Sequence, residues 1–194
     1  MSSPSNQPCS RVPAPYFSGV VATDKAGCIG KDGKLPWNCK EDMLFFKTLT
    51  EGCTVIMGRK TWDSLPKKPL QNRLNIILTR DPSTVQSESE LCLAMTVDGF
   101  SRFITSGPRN DYGTRYYVIG GLQVYQLFRP LLGSFYVTHV DTLVEGGDTF
   151  LPVDFFEGFK EVSSTPLSSR CVSKFLMPKS APVDFYEWKE GKMA

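Results

Sequence analysis

Tyr116-Tyr-Val-Ile-Gly-Gly-Leu-Gln-Val-Tyr125 reads as a buried strand that opens through two adjacent glycines into a helix with Val124, Leu127 and Phe128 on its inner face. A strand running straight into a helix is half of a βαβ crossover, so this stretch points to a parallel sheet covered by helices. The pattern recurs upstream in Val55-Ile-Met-Gly-Arg-Lys-Thr-Trp62, where an apolar run stops at Gly58 and a helix starts. Working outward, strand-like runs fall at 16–22, 53–57, 74–79, 91–96, 115–119, 134–141, 158–164, 171–177 and 183–189. Helical patterns fall at 41–51, 59–65, 98–104 and 121–129. The first six strands are mostly separated by helices and are expected to pair in parallel. The last two are joined only by Pro178-Lys-Ser-Ala-Pro182, too short for a parallel crossover, so an antiparallel pair and a mixed sheet are expected.

The chain has 194 residues, of which 41% are hydrophobic and 22% charged, an ordinary globular composition. At this length folding removes roughly 70% of the unfolded chain's surface from water, enough for one core without staples. A single domain over 16–194 is expected, preceded by a tail at 1–15 whose four Pro and four Ser cannot bury enough surface to offset their ordering entropy. Asp81–Ser89 and Thr105–Thr114 read as surface loops, and no repeat of 20 to 50 residues is visible. A net charge of +2 is too small to suggest a nucleic-acid or membrane-surface protein. The six cysteines, at 9, 28, 39, 53, 92 and 171, form no close pair and no metal-ligand cluster, so no metal site or redox dithiol is indicated and a reducing compartment is expected. With no signal-like start and no apolar run of about 20 residues, the expectation is a soluble, cytoplasmic protein.

The helix after Pro36-Trp37 carries an unusual residue. At 3.6 residues per turn Asp42, Phe45, Phe46 and Leu49 fall within one stripe about 100° wide, with Lys40, Lys47 and Glu51 opposite. A carboxylate on an apolar face needs a partner, and a ligand with clustered N–H donors suits it. The alternative is that Asp42 only caps the helix or answers its dipole.

Two strand-to-helix junctions, at Gly58-Arg-Lys-Thr61 and at Gly120-Gly121, offer backbone N–H groups to an anion, with Arg59 and Lys60 adding cationic donors. Each junction reads equally as a solvated helix start or a plain glycine turn. Arg80, following the strand 74–79, adds a third positive group. The full Gly-x-Gly-x-x-Gly fingerprint is absent, so this is not the ordinary dinucleotide fold. Together the junctions suit a phosphorylated dinucleotide, and Lys60 and Arg80, in place of a ribose-binding carboxylate, favour NADPH over NADH. His139, the only histidine, lies in a strand-like run with no nucleophile elbow near it and is read as structural.

Ala22-Thr-Asp-Lys-Ala-Gly-Cys-Ile-Gly30, Leu35-Pro-Trp-Asn38, Asp42 with Phe46-Lys47, Val55–Trp62, Arg73-Leu-Asn-Ile-Ile-Leu78, Val118-Ile-Gly-Gly121 with Tyr125, and Glu145-Gly-Gly-Asp-Thr-Phe150 together, in this order and spacing, resemble dihydrofolate reductase over about residues 17–190. The resemblance implies an α/β domain with an eight-stranded, mostly parallel mixed sheet and four helices. It implies NADPH-dependent reduction of 7,8-dihydrofolate to tetrahydrofolate, with hydride to pterin C6 and a proton to N5, supplying one-carbon metabolism and thymidylate synthesis.

On that resemblance the catalytic residues are Asp42, which grips the pterin, Thr138 beside it, and Trp37, singled out by its position near Asp42. Val20, Val21, Met43, Phe46, Leu65 and Ile119 wall the substrate rings, Leu70 meets the benzoyl group, and Arg73 pairs with the glutamate carboxylate. Tyr125 belongs to both ligands' surroundings. Ala22, Ile29, Gly30 and Thr61 are expected at the nicotinamide end, with Thr149 nearby. Gly58, Gly120, Gly121, Leu122 and Val124 are expected along the pyrophosphate, and Arg59, Lys60, Leu78, Thr79 and Arg80 toward the adenosine. The resemblance also implies a cis peptide between the two glycines, a lid over Gly27–Trp37, a proton-delivering water near that lid, antifolates such as methotrexate or trimethoprim-like diaminopyrimidines as ligands, and a monomer.

The chain departs from the family pattern at Cys39, where an aliphatic residue or proline is common, at Met43, usually Leu or Phe, and at Asp63, usually Phe or Glu. Two rivals share the fold: the NADPH-dependent reductase of riboflavin synthesis, and a non-catalytic folate- or nucleic-acid-binding protein. Leu35-Pro-Trp-Asn38 with Asp42, and Arg73, suit a pterin and a glutamate carboxylate rather than a ribose phosphate.

Overall fold

The computed structural model describes residues 16–106 and 115–193. The expected tail at 1–15 and most of the loop at 105–114 lie outside the described residues. The chain runs β1 (Tyr16–Thr23), β2 (Cys28–Gly30), α1 (Lys40–Thr50), β3 (Thr54–Gly58), α2 (Arg59–Ser64), β4 (Leu74–Leu78), β5 (Cys92–Met95), α3 (Val97–Thr105), β6 (Arg115–Val118), α4 (Leu122–Phe128), β7 (Leu132–Val140), β8 (Thr149–Phe150), β9 (Phe159–Ser168), β10 (Cys171–Pro178) and α5 (Phe185–Met193).

Eight strands form one sheet in the order β5-β4-β3-β6-β1-β7-β10-β9, and β2 with β8 forms a separate two-stranded ribbon. The six strands from β5 to β7 pair in parallel, and β10 is antiparallel to both β7 and β9. The central strands are buried on both faces, which is why β4 reads Leu-Asn-Ile-Ile-Leu without polar alternation. Ile56 points into a core with Phe17, Phe100, Tyr116 and Phe128, whereas its neighbours Val55 and Met57 point the other way, toward Trp62, Ile77 and Tyr117.

The carboxyl-terminal end of the chain departs from expectation. Residues 183–189 are not a strand but lie in and just before α5, a fifth helix where four were expected, so the antiparallel partner of β10 is β9 through the tight turn at Ser169-Arg170. Asp184 starts α5 by accepting from the Tyr186 backbone N–H at 2.8 Å. Phe185 and Trp188, three apart, then fall on one helical face against Phe17, Phe100 and Phe128. The aromatic content suggested a strand, and that core contact decides for a helix. The ribbon of β2 and β8 is too short to leave a pattern in the sequence.

Candidate functional site

The carboxyl ends of β1, β3, β6 and β7 are neighbours in the sheet and deliver Val20, Gly58, Ile119 and Thr138 to one edge. Ligands of open α/β sheets bind outside such strand ends. Asp42, on the first turn of α1, is only 9% exposed, and the Thr138 hydroxyl stands beside its carboxylate. Burial pushes its pKa up and the Thr138 hydroxyl pulls the other way, leaving it raised. Cys39, not Asp42, is the N-cap of α1, so the carboxylate does not cap its helix. Phe46, Leu49, Leu65, Leu70 and Ile119 are partly buried around Val20, forming an apolar wall beside it.

Arg73 immediately precedes β4 and is 6% exposed. Its Nε donates to the Gln71 carbonyl at 2.9 Å and its Nη1 to the Thr50 hydroxyl at 3.0 Å, and the guanidinium stands 5.8 Å from the Phe46 ring centre. Desolvation lowers its pKa, the mark of a cation placed where an anionic partner is worth more than in water. Tyr125 is buried, and its hydroxyl donates to the Val20 carbonyl at 2.6 Å. Burial first, and then the Asp42 charge, raise its pKa, so it stays a neutral phenol.

Because β3 and β6 are adjacent, the two glycine junctions lie side by side: the Gly58 N–H donates to the Gly120 carbonyl at 2.8 Å. The Gly120–Gly121 peptide is cis, as the resemblance implied. Gly120 has φ of +104°, and a methyl there would meet the Tyr125 hydroxyl at 3.0 Å; one on Gly121 would stand 3.5 Å from the Thr61 hydroxyl. Two glycine turns, at the starts of α2 and α4, thus lie side by side and form a backbone cradle of the kind that accepts anions. Replacing Gly120 by Ala is expected to strain the backbone and displace the Tyr125 ring, destabilising the fold by about 1–3 kcal/mol. Thermal unfolding checks this, and an unchanged melting temperature would contradict the close packing of Tyr125 on Gly120.

The structure places the cationic residues less uniformly than expected. Arg59 is engaged by the Asp63 carboxylate, at 2.7 Å, and by the Thr84 hydroxyl, so a phosphate must compete for it. Lys60 and Arg80 are exposed, Leu78 is buried and Thr79 half-buried, while Leu122 and Val124 lie on the first turn of α4. Met43 is 52% exposed at the rim of α1. Thr138 and His139 point to opposite faces of β7, which keeps His139 out of the site. Trp62 and Trp188 are core residues, whereas Trp37 is half-buried beside Ala22, and its indole N–H has no partner among the described residues.

Sequence reasoning missed what holds the lid. Asp24, 2% exposed, accepts from the Ala26, Cys28 and Val144 N–H groups at 2.8 Å each, fastening the loop after β1 to the loop after β7. Lys31 Nζ donates to the Glu145 carbonyl, and Asp148 accepts from the Asp32 N–H, both at 2.7 Å. Ile29 and Gly30 are set by the ribbon, in which Gly30 faces Thr149. Backbone N–H partners of a carboxylate leave no sequence pattern. Also missed was the pairing of Cys39 with Cys171 as a disulfide, which corrects the expectation of no redox dithiol: a sequence separation of 132 conceals what the fold brings together. Among the described residues no group of three or more His, Cys, Asp or Glu could hold a metal, and no helix is long and apolar enough to cross a membrane.

Comparison with known proteins settles the relationship: the pattern described as dihydrofolate reductase matches residues 16–175. The chain belongs to the dihydrofolate reductase family. Dihydrofolate reductase of Staphylococcus haemolyticus is 34% identical over 170 residues, covering 88% of this chain and 92% of that one. The Mycobacterium leprae enzyme of the same name is 39% identical over 138 residues, 69% and 79% of the two chains. A bifunctional dihydrofolate reductase-thymidylate synthase of Arabidopsis thaliana is 36% identical over 152 residues, and the match spans 72% of this chain but only 27% of that longer protein; for a second such protein the share is 38%. Among solved structures, dihydrofolate reductase from Enterococcus faecalis, complexed with NADP(H) and RAB-propyl, superposes with a TM-score of 0.72 at 27% identity, covering 85% of this chain and 97% of that one. The eight-stranded sheet is thus that of a dihydrofolate reductase fold.

Proposed function

We propose that this chain reduces dihydrofolate to tetrahydrofolate with NADPH. The observation that carries the reading is the buried Asp42 carboxylate, backed by Thr138 and walled by apolar side chains, at the sheet edge that also carries the two glycine junctions. Its two oxygens accept the N3–H and 2-amino donors of a pterin, the partner that an isolated acid on an apolar face requires. Phe46, Leu65 and Ile119 exclude water from the rings, and Arg73 takes the glutamate carboxylate. NADPH, when bound, supplies the hydride that pterin C6 accepts. Asp42 grips the opposite side of the ring from N5, so the N5 proton comes from a water held beneath the lid, where the Trp37 N–H offers it a donor. Ala22 and Ile29 close the nicotinamide side, with Gly58, Gly120, Gly121 and Thr61 lining the pyrophosphate path. Lys60 and Arg80 stand toward the 2′-phosphate, joined by Arg59 once it leaves Asp63.

The test is NADPH consumption with dihydrofolate, in parallel with NADH and with the aminopyrimidine of riboflavin synthesis. Fast turnover with dihydrofolate and NADPH alone is expected. Turnover of the aminopyrimidine alone would transfer the chain to that activity, and tight binding of both ligands without turnover would make it a binding protein.

The same pocket takes diaminopyrimidine and pteridine antifolates, whose amino groups replace the pterin donors at Asp42. We read the chain as a monomer acting in the cytoplasm. Met43, unbranched and half out in solvent, adapts to inhibitors of different shape. Met43→Phe is expected to reorder a panel of antifolates by inhibition constant while leaving the KM for dihydrofolate within about threefold; an unchanged order would remove Met43 from the inhibitor contacts.

A further inference from the structure

Cys39 and Cys171 take no part in the ligand contacts described above, yet the fold brings them together across 132 residues of sequence. Both are buried, at 8% and 2% exposure, in a small cluster with Val140, Leu167 and the site residues Ala22 and Trp37. They also line a crevice of about 940 Å³ with Lys34, Trp37, Lys40 and Arg170, a volume within the range that admits a small ligand. That crevice shares Trp37 with the pterin cleft but none of Val20, Asp42, Phe46 or Thr138.

The two cysteines join elements that each carry a residue next to the pterin site, the start of α1 and the start of β10. Cys39 is the N-cap of α1, and its carbonyl accepts from the Met43 N–H at 3.1 Å, in the same turn that carries Asp42. Cys171 starts β10 opposite Val140, and two residues further along the same pairing Ser173 stands opposite Thr138. The Thr138 hydroxyl lies close enough to the Asp42 carboxylate to lower its pKa against the effect of burial. A covalent link between the cysteines therefore closes a ring through α1, Asp42, Thr138, β7 and β10. Cys28, Cys53 and Cys92, the other described cysteines, are free.

We propose that Cys39 and Cys171 form a reversible thiol–disulfide site, served through the adjoining crevice by small thiols and disulfides of the glutathione class, that sets how firmly Asp42 and Thr138 are held together for the substrate. In oxidation one cysteine thiolate attacks a sulfur of the incoming disulfide and expels one small thiolate. The second cysteine thiolate then attacks the mixed disulfide, forms the Cys39–Cys171 bond and releases the other. Two electrons pass to the small disulfide, and the two protons lost from the cysteines end on the two small thiols. Reduction runs the same steps backwards. With the bond open, the first turn of α1 is held against β10 by packing alone, so the cost falls on substrate binding and not on the nucleotide cradle, which lies on other strands.

The effect on turnover rests on the reductase reading above; the covalent state of the pair does not. The full chain is equilibrated with reduced and oxidised glutathione in graded ratios, then digested and mapped by mass spectrometry, with KM for dihydrofolate and for NADPH measured at each ratio. The Cys39–Cys171 linked peptide is expected to appear and disappear reversibly. On opening the bond, the KM for dihydrofolate should rise about threefold to tenfold while that for NADPH stays fixed. Cys39→Ser, which places a good capping residue at the start of α1, and Cys171→Ser should each hold the open-state KM at every ratio. Thiols that alkylate freely at all ratios would overturn the proposal. So would a dihydrofolate KM indifferent to the bond, or serine variants that still respond. A chain that bridges reversibly but neither binds nor reduces dihydrofolate would overturn the reductase reading and leave the thiol chemistry standing.

Discussion

Asp42→Asn is expected to lower kcat/KM for dihydrofolate by about two to three orders of magnitude. Hydrogen bonds to a charged group contribute about 1.5–3 kcal/mol each, so the two that the proposed pterin contact gives the carboxylate contribute about 3–6 kcal/mol; the asparagine oxygen keeps one acceptor, leaving a loss of about 3–4 kcal/mol, or 10²- to 10³-fold. Asparagine also turns one acceptor into a donor that faces a donor. NADPH binding, on other strands, should be unaffected. Steady-state kinetics with both substrates checks this, and a loss below about tenfold would remove Asp42 as the pterin anchor.

Stability should move in the opposite direction. Burial raises the Asp42 pKa above its unfolded value, so the folded chain holds the proton more tightly and ionised Asp42 costs stability once pH exceeds the folded pKa. That cost shrinks as pH falls through the raised pKa and vanishes below the unfolded one. Without ligand, Asp42→Asn is therefore expected to melt at or above the parent temperature at neutral pH, with the difference closing in acid. A variant that melts lower at neutral pH would show that the Thr138 hydroxyl outweighs the burial. A carboxylate kept in an apolar wall at a cost to the empty protein is the signature of a residue retained for its ligand.

Arg73→Leu should raise the KM for dihydrofolate by about 10- to 100-fold with kcat little changed, because the glutamate tail is far from the bond chemistry and is bound equally in ground and transition states. The pair is worth this much because Arg73 is 6% exposed and already oriented by Gln71 and Thr50, so little freedom is lost on binding. Arg73→Lys keeps the charge but not the fork and should recover only part of the loss. A pteridine substrate lacking the glutamate should be insensitive to either change. Equal losses for that substrate would mean that Arg73 acts by supporting Thr50 and Phe46 instead.

The parallel order of the central strands, the two glycine junctions, and Asp42 on an apolar helix face were all legible in the sequence, because each is a local pattern of period 2 or 3.6 broken by glycine. So was the family, through the joint spacing of the motifs. Tertiary structure decided what depends on partners distant in the chain. Residues 183–189 have the composition of a strand and become part of a helix because Phe185 and Trp188 find an aromatic core on one side only. Asp24 looks like any turn aspartate until the loop after β7 arrives with the Val144 N–H. Arg59 reads as a free phosphate ligand until Asp63 and Thr84 engage it. Cys39 and Cys171 become a pair only when β10 lies beside β7 and brings Cys171 to the start of α1. Local periodicity is written in neighbouring residues, whereas a hydrogen bond to a distant backbone amide or a contact between distant thiols depends on where the whole sheet places them.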